Sequence, residues 1–371
     1  MASRKPRVLL AGPYPHPGTM EGTFGRILTT METSPFLGPH VDFVPLRKTI
    51  PADGSLPKRF ILDIIRTIRA LPQRPDAMHI IMQRRRSLVR ELPMLMAARL
   101  ANVKIIMDIR AGSLQGDLDS PETPTYQKQM TVKAFRMADH MVMECASDVR
   151  YVRERFGIEG VYLPNIIKKS QFDSLKPAML PPRKNEPLKL VYTGRFIKEK
   201  GINEVLDALE LLSLKGHKVE FHLVGAGDDG VLLTRIKRFV EAPPEGIRVV
   251  DHGFVDVKAL YSLLSASHVF IMPTTWPGEG HSYSLNEAMA NGLGLILSPW
   301  LHLPDLVPEG GVNVADAASP HSIAASIEEY ILHPERLHKA GGLNRQRVKE
   351  SYLDEARYPK LLELYRQAIR S

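Results

Sequence analysis

The sequence predicts an α/β protein made of two doubly wound units. Short apolar runs alternate with helix-period segments along nearly the whole chain, the pattern of parallel strands joined by crossover helices. That alternation breaks once, at residues 168–187 (KKSQFDSLKPAMLPPRKNEP), which carry four prolines and no clear period, and then restarts. A chain of 371 residues is also too long for one ordinary core. The expected organisation is a Rossmann-like unit over 1–167, a linker over 168–187, a second Rossmann-like unit over 188–352, and a helix over 353–371 that packs back on the first. The two units are expected to face each other across a cleft.

In chain order, Arg7–Ala11 reads as the first strand and runs into GPYPHPGTMEGTFGRIL, where Gly22 and Gly25 would let backbone approach a ligand closely. Val41–Val44 is the second strand. Lys58–Arg74 forms an amphipathic helix with Ile61, Ile64, Ile65, Ile68 and Leu71 on one face and Lys58, Arg59, Arg66 and Arg69 largely elsewhere. Such a helix commonly lays its stripe on a sheet, and it can instead lie on an anionic bilayer. Ala77–Met82 is a strand followed by Gln83 and three arginines, Arg84 to Arg86. A helix over Leu88–Ala101, the strand Lys104–Ile109, a helix near Gln127–Met137, the strand HMVMECA and a helix with Ser147 as N-cap complete the first unit with VYLPN. After the linker come LKLVYTG, a helix from Ile202 to Leu214, KVEFHLVG, a helix near Val231–Val240, IRVVDHG, a helix near Lys258–Ala266 and the strand HVFIM. LGLILS, two helices over His321–Leu332 and Leu337–Ser351, and a final helical pattern over Tyr358–Ile369 follow.

Composition sets the class. Apolar content of 44% and charged content of 24% are those of a globular protein, and the single Cys145 permits no internal disulfide, which fits a reducing compartment. No stretch approaches the roughly 20 apolar residues that span a bilayer, and the first apolar run is too short for a signal peptide, so a cytoplasmic location is expected. The net charge of +8 is unevenly placed: residues 1–170 hold 26 Lys/Arg against 16 Asp/Glu, the remainder 23 against 25. The basic half is the better partner for an anionic surface, such as the inner face of a membrane. It lacks the interleaved aromatics or any motif of a nucleic-acid binder.

Three stretches carry chemistry. Pro273–Gly292 (PTTWPGEGHSYSLNEAMANG) joins a strand to a helix through a Gly-containing loop, with Glu279 and Glu287 bracketing it and seven residues between them. Amides at that helix start suit an anion, and Glu287, about one turn in, leans back toward the same mouth. On spacing alone the stretch reads equally as a loop with two solvated acids. Arg195 and Lys200 flank the loop after LKLVYTG, where a doubly wound sheet binds its ligand, and together they would neutralise a diphosphate. Gly225-Ala226-Gly227-Asp228-Asp229-Gly230 is a literal dinucleotide fingerprint with Asp251 about 20 residues on, which by itself points to a nicotinamide-dependent oxidoreductase. Asp117-Leu118-Asp119 lies in a polar loop and is set aside as a metal site; no His/Cys cluster has metal spacing, and no Gly-x-Ser-x-Gly elbow occurs.

With YTGRFIKEKG, LVGAGDDG, VDHGFV, EGHSYSLNEAMANG and LPN at Leu163–Asn165 in view, the chain resembles a family-4 retaining glycosyltransferase of the GT-B type, most closely from Tyr192 to Gly292. The resemblance implies transfer of a sugar, with retention, from a nucleotide-diphosphate sugar (UDP before GDP) to a glycan or lipid-linked acceptor of surface polysaccharide biosynthesis. It implies no metal and no cofactor beyond the nucleotide-sugar co-substrate. Arg195 and Lys200 would hold the diphosphate, Glu287 the ribose hydroxyls, and Glu279 the transferring sugar. Amides around Ser282, Tyr283 and Ser284 would hold a phosphate, and Gly22 would let its loop close over the donor. The chain departs from the family where His281-Ser282 replace a common Phe-Gly, where Gly22 stands without a second glycine, and where Arg110-Ala111 stand in place of a His-Asp pair. Those departures make His281 a donor-site candidate and Arg110 a catalytic one beside Glu279. A sugar-nucleotide epimerase shares the architecture and is the alternative within it.

Overall fold

The computed structural model describes residues 4–14, 23–49, 54–82, 86–110, 112–178, 180–183, 185–300 and 302–370. The chain divides into two compact units, one made of Met1–Lys168 with Leu353–Ser371, the other of Lys169–Tyr352. Each is built on a six-stranded sheet whose paired strands are all parallel.

In the first unit the strands are β1 (Arg7–Gly12), β2 (Asp42–Arg47), β3 (Ala77–Met82), β4 (Lys104–Ile109), β5 (His140–Met143) and β6 (Gly160–Tyr162), in the order β2-β1-β3-β4-β5-β6. Between them lie α1 (Thr23–Thr33), α2 (Leu56–Ala70), α3 (Arg86–Leu100), α4 (Leu114–Asp119), α5 (Thr125–Phe135) and α6 (Ala146–Phe156). Strand β3 is buried throughout, which is why it reads as a continuous apolar run rather than an alternation. Met78, Ile80 and Met82 on β3 join Ile105 and Met107 on β4 in one core with Leu95, Phe135 and Val152 from the helices. Residues of opposite parity, His79 and Asp108, are buried as well. They meet Tyr365 of α15 (Asp354–Arg370), whose hydroxyl lies 2.6 Å from His79 Nδ1. A bridge between Ile167 and Leu353 leads the chain into that helix.

Three expectations in this unit are corrected. Most of the expected stripe of α2 faces outward: Ile61, Ile65 and Ile68 are exposed and Ile64 is half-buried, while Leu71 packs against the core and Asp63, Thr67 and Ala70 are buried. Ser147 is not a cap, since the last extended residue before α6 is Cys145 (φ −123°, ψ 136°) and Ser147 falls inside the helix. The segment expected as a polar loop around Asp117 is the short helix α4, capped by the Ser113 side chain accepting from Gly116 N–H.

In the second unit α7 (Lys169–Ser174) occupies the start of the expected linker. The strands are β7 (Leu188–Arg195), β8 (Val219–Ala226), β9 (Ile247–Asp251), β10 (Val269–Met272), β11 (Gly294–Leu297) and β12 (Val312–Val314), in the order β12-β11-β10-β7-β8-β9. The helices are α8 (Ile202–Leu214), α9 (Gly230–Glu241), α10 (Val257–Ser265), α11 (Tyr283–Asn291), α12 (Leu303–Leu306), α13 (Pro320–Leu332) and α14 (Glu335–Ser351). Strand β12 escapes sequence reading because it is three residues long, half-exposed and centred on Asn313. Strands run outward in one direction from β7 and in the other from β10. The point of reversal, between those two neighbours, is where an open α/β sheet holds its ligand.

Candidate donor site

Both loops expected to carry chemistry leave the sheet at that reversal, one from the carboxyl end of β7 and one from that of β10. They are tied together by backbone. The Glu199 carbonyl accepts from Thr275 N–H at 2.8 Å and from the Thr274 hydroxyl at 3.1 Å. Gly201 sits between them in the left-handed region (φ 74°), and a Cβ there would collide with the Pro273 carbonyl oxygen. Glycine is therefore required both by its dihedral and by the approach of the second loop.

Within this frame Lys200 Nζ and a Glu279 carboxylate oxygen form an ion pair, both side chains about nine-tenths buried. Arg195 stands at the exposed end of β7 with its guanidinium 5.2 Å from the centre of the Trp276 ring, a cation–π distance that fixes the arginine without using its N–H donors. Tyr192 donates its hydroxyl to the Arg195 carbonyl at 2.7 Å, closing the turn from below. Burial, and then the negative charge of Glu279, hold the Tyr192 hydroxyl well above the ordinary tyrosine range, so it stays a donor.

Helix α11 begins beside these groups. Its own ladder starts with Asn286 N–H donating to the Ser282 carbonyl at 3.1 Å, and Ser282, the N-cap, makes no side-chain cap bond. The first-turn amides of Tyr283 and Ser284 thus precede the ladder, at the positive end of the helix dipole. Three other helices of this unit are capped by their own side chains: α9 by Asp229, α10 by Asp256 and α13 by Ser319. Glu287, one turn into α11, is buried and accepts from the Tyr261 hydroxyl at 3.2 Å. His281 is buried too, its Nε2 2.6 Å from Asn286 Oδ1 and its ring edge-on to Tyr352 with centroids 4.5 Å apart.

The dinucleotide fingerprint has a different explanation. Gly225 and Gly227 are demanded by neighbouring backbone, because a Cβ on either would collide with the carbonyl of Gly194 or Phe196. The start of α9 already holds a carboxylate, Asp229, which accepts from Val231 and Leu232 N–H at 3.1 Å. Asp251 is spent on its own turn, accepting from Gly253 N–H at 2.9 Å. Two first-turn amides of α9 are thus already held by a carboxylate whose charge would repel a pyrophosphate, and the glycines serve their neighbours, so the oxidoreductase reading loses the support of its motif.

Of the predicted residues, the structure gathers Arg195, Lys200, Glu279, Ser282, Tyr283, Ser284 and Glu287 around one loop pair, with His281 in the packing behind it. Gly22 lies outside the described residues. Arg110 belongs to the first unit, where it is buried at the end of β4. Its Nε and Nη2 donate to the two Asp108 oxygens at 2.7 and 2.9 Å, and its Nη1 donates to Asn165 Oδ1 at 3.1 Å. Burial opposes ionisation of Asp108, but the Arg110 charge and His79 outweigh it and hold the carboxyl below its usual range. Sequence reasoning missed Trp276, Tyr192 and Tyr261. Trp276 lay in view inside PTTWPGEG, as one of only two tryptophans in the chain.

Residues 181–347 match the family model described as glycosyl transferases group 1. An uncharacterised glycosyltransferase of Methanocaldococcus jannaschii is 25% identical over 236 residues, 61% of this chain and 58% of the relative. The amylovoran biosynthesis glycosyltransferase AmsK of Erwinia amylovora is 24% identical over 40% of this chain and 36% of its own length. The capsular polysaccharide biosynthesis glycosyltransferase CapM of Staphylococcus aureus is 24% identical over 49% and 46%. The chain thus matches between about a third and three-fifths of the length of these relatives. Among solved structures, sucrose-phosphate synthase of Thermosynechococcus elongatus superposes with a TM-score of 0.73 at 18% identity, over 99% of this chain and 100% of that one. Anabaena HepE in complex with UDP gives 0.68 at 14%, over 98% and 100%.

Proposed function

We propose that the chain, which matches the glycosyl transferases group 1 model over residues 181–347 and has the GT-B fold, is a glycosyltransferase that moves a sugar from a nucleotide-diphosphate sugar to a glycan or lipid-linked acceptor in surface polysaccharide biosynthesis. The observation that carries the donor reading is the buried Lys200–Glu279 pair at the sheet's reversal point, beside Arg195 and the start of α11. UDP is favoured as the carrier because HepE, of like fold, was solved with UDP and with UDP-glucose. The acceptor class follows the amylovoran and capsular relatives.

In this reading the diphosphate takes Lys200, Arg195 and the amides of Tyr283 and Ser284, and Glu287 accepts from the ribose hydroxyls. Lys200 then shares its charge with the phosphate, and Glu279 is freed to meet a hydroxyl of the transferring sugar. As the glycosidic bond to the diphosphate breaks, negative charge grows on the leaving phosphate oxygen. Fixed cations and oriented amides already stand there, so stabilisation needs no reorganisation. A pair of cations in that place supplies what a metal would, so transfer is expected to proceed in the presence of a chelator, with the anomeric configuration retained.

The test is a thermal-shift panel of UDP, GDP, ADP and their sugars on the wild type and Lys200→Ala, followed by product analysis by NMR. UDP should raise the wild-type melting temperature, and the alanine variant should lose most of that rise. No nucleotide response in the wild type would overturn the reading, and turnover of the nucleotide sugar without acceptor would turn it toward an epimerase.

A further inference from the structure

Helix α2 is turned the wrong way round for a helix that only builds a core. Its inward strip, Asp63, Thr67 and Ala70, is mostly polar and buried. Its isoleucines Ile61, Ile65 and Ile68 begin two positions earlier, about 200° around the helix, and are 56%, 37% and 54% exposed. Positions i, i+4 and i+7 make one continuous stripe. On α3, which packs against α2, Met96 and Leu100 are 54% and 88% exposed. An apolar stripe held in water by a buried polar strip marks a surface that something else covers.

Charge says what covers it. Lys58 stands one turn before Ile61 and Arg69 one turn after Ile65, both exposed, so a cation closes each end of the stripe. The acids of these two helices are withdrawn. Asp63, the one acid of α2, accepts from Thr49 N–H at 2.8 Å and from the Thr49 hydroxyl at 3.0 Å. Glu91, the one acid of α3, is buried against Lys48. Neither helix, therefore, offers an outward carboxylate to a second copy of the same face, and two copies would bring cation against cation. An apolar stripe with cations at its ends matches the boundary between acyl chains and acidic headgroups.

We propose that the outer face of α2 docks the protein on an anionic lipid bilayer, with Ile61, Ile65 and Ile68 entering the acyl boundary and Lys58 and Arg69 meeting the headgroups. No helix among the described residues is long and apolar enough to cross a membrane, so the contact is one of lying on the surface. Docking stands independently of the donor site, which lies in the other unit, and the two readings can fail separately.

The experiment is flotation of the full chain with vesicles of phosphatidylcholine alone, or of equal parts phosphatidylcholine and phosphatidylglycerol, at low and high salt. Wild type should float with the phosphatidylglycerol vesicles at low salt and be released at high salt. Ile61→Ser/Ile65→Ser/Ile68→Ser should bind at least about tenfold more weakly, and Lys58→Ser/Arg69→Ser about fivefold more weakly per cation. All these positions are exposed, so circular dichroism and the UDP-induced melting shift should match wild type. Three results would overturn the proposal: a wild type that stays unbound, equal binding to both vesicle types, or a serine variant that floats as well as wild type. A wild-type dimer that the serine variant abolishes, seen by sedimentation velocity, would assign the face to self-association instead.

Discussion

Lys200 and Glu279 show how a residue pair can serve two states. Without ligand each neutralises the other in a nearly dry loop, which avoids the penalty of an unpaired buried charge. A diphosphate offers Lys200 a second anion, and a sugar hydroxyl offers Glu279 a donor, so neither loses compensation when the pair loosens. Asp148 is the opposite case, an acid without such relief. Burial first, and then the charge of Glu144, push its carboxyl up to about 8, against the help of the amides of Leu114 and Gln115. A carboxyl raised in the folded state is protonated there while the unfolded chain is already ionised. Its contribution is fully present below the unfolded value near 3.8 and is lost as pH rises toward about 8. Asp148→Asn keeps the shape and removes the titration. Its melting temperature should exceed that of wild type at pH 8 by on the order of several degrees and converge on it near pH 4, as scanning calorimetry at both pH values would show. A variant that melts in parallel with wild type across that range would refute the assignment.

At the scale of elements, the donor loops are held together by a close backbone approach as well as by side chains. Gly201→Ala tests this, because the new methyl meets the Pro273 carbonyl and a positive φ at once. The strained dihedral alone should cost about 1–2 kcal/mol. The larger effect should be a lost UDP shift, since parting the two loops separates Lys200 from Glu279; an alanine variant that binds UDP normally would show the loops to be independent. Much of this region was legible in the sequence. β7, β8 and β10 are apolar runs ending in glycine or proline, and α11 stops at Asn291-Gly292, where Gly292 takes φ 76°. What sequence could not separate was a glycine serving a ligand from a glycine serving its neighbour strand. Gly225 and Gly227 spell a nucleotide motif, yet a carbonyl from β7 or the loop after it explains each of them. The orientation of α2 was hidden for a related reason. Hydrophobic period shows that a helix has two faces, and only the burial of Asp63 and Thr67 shows which of them is turned inward.

At the scale of the whole molecule, the first unit is discontinuous in the chain, and α15 completes it. Tyr365 is fully buried and ties α15 to His79, which itself lies 3.2 Å from Asp108. Tyr365→Ala removes a large aromatic body and a buried hydrogen bond, a change that should cost about 3–5 kcal/mol. Calorimetry should show the transition that UDP does not move falling in temperature. If instead the UDP-sensitive transition fell alone, the helix would be serving the other unit. The same discontinuity sets a timetable for biosynthesis. Every residue from Lys169 to Tyr352 leaves the ribosome before α15 does, a wait of roughly 10–40 s at ordinary elongation rates. Throughout that interval a nascent first unit carries β3 and β4 with Tyr365 still unmade. An arrested or prematurely terminated chain would therefore display a finished second half beside an unfinished first, a species for quality-control proteases to recognise.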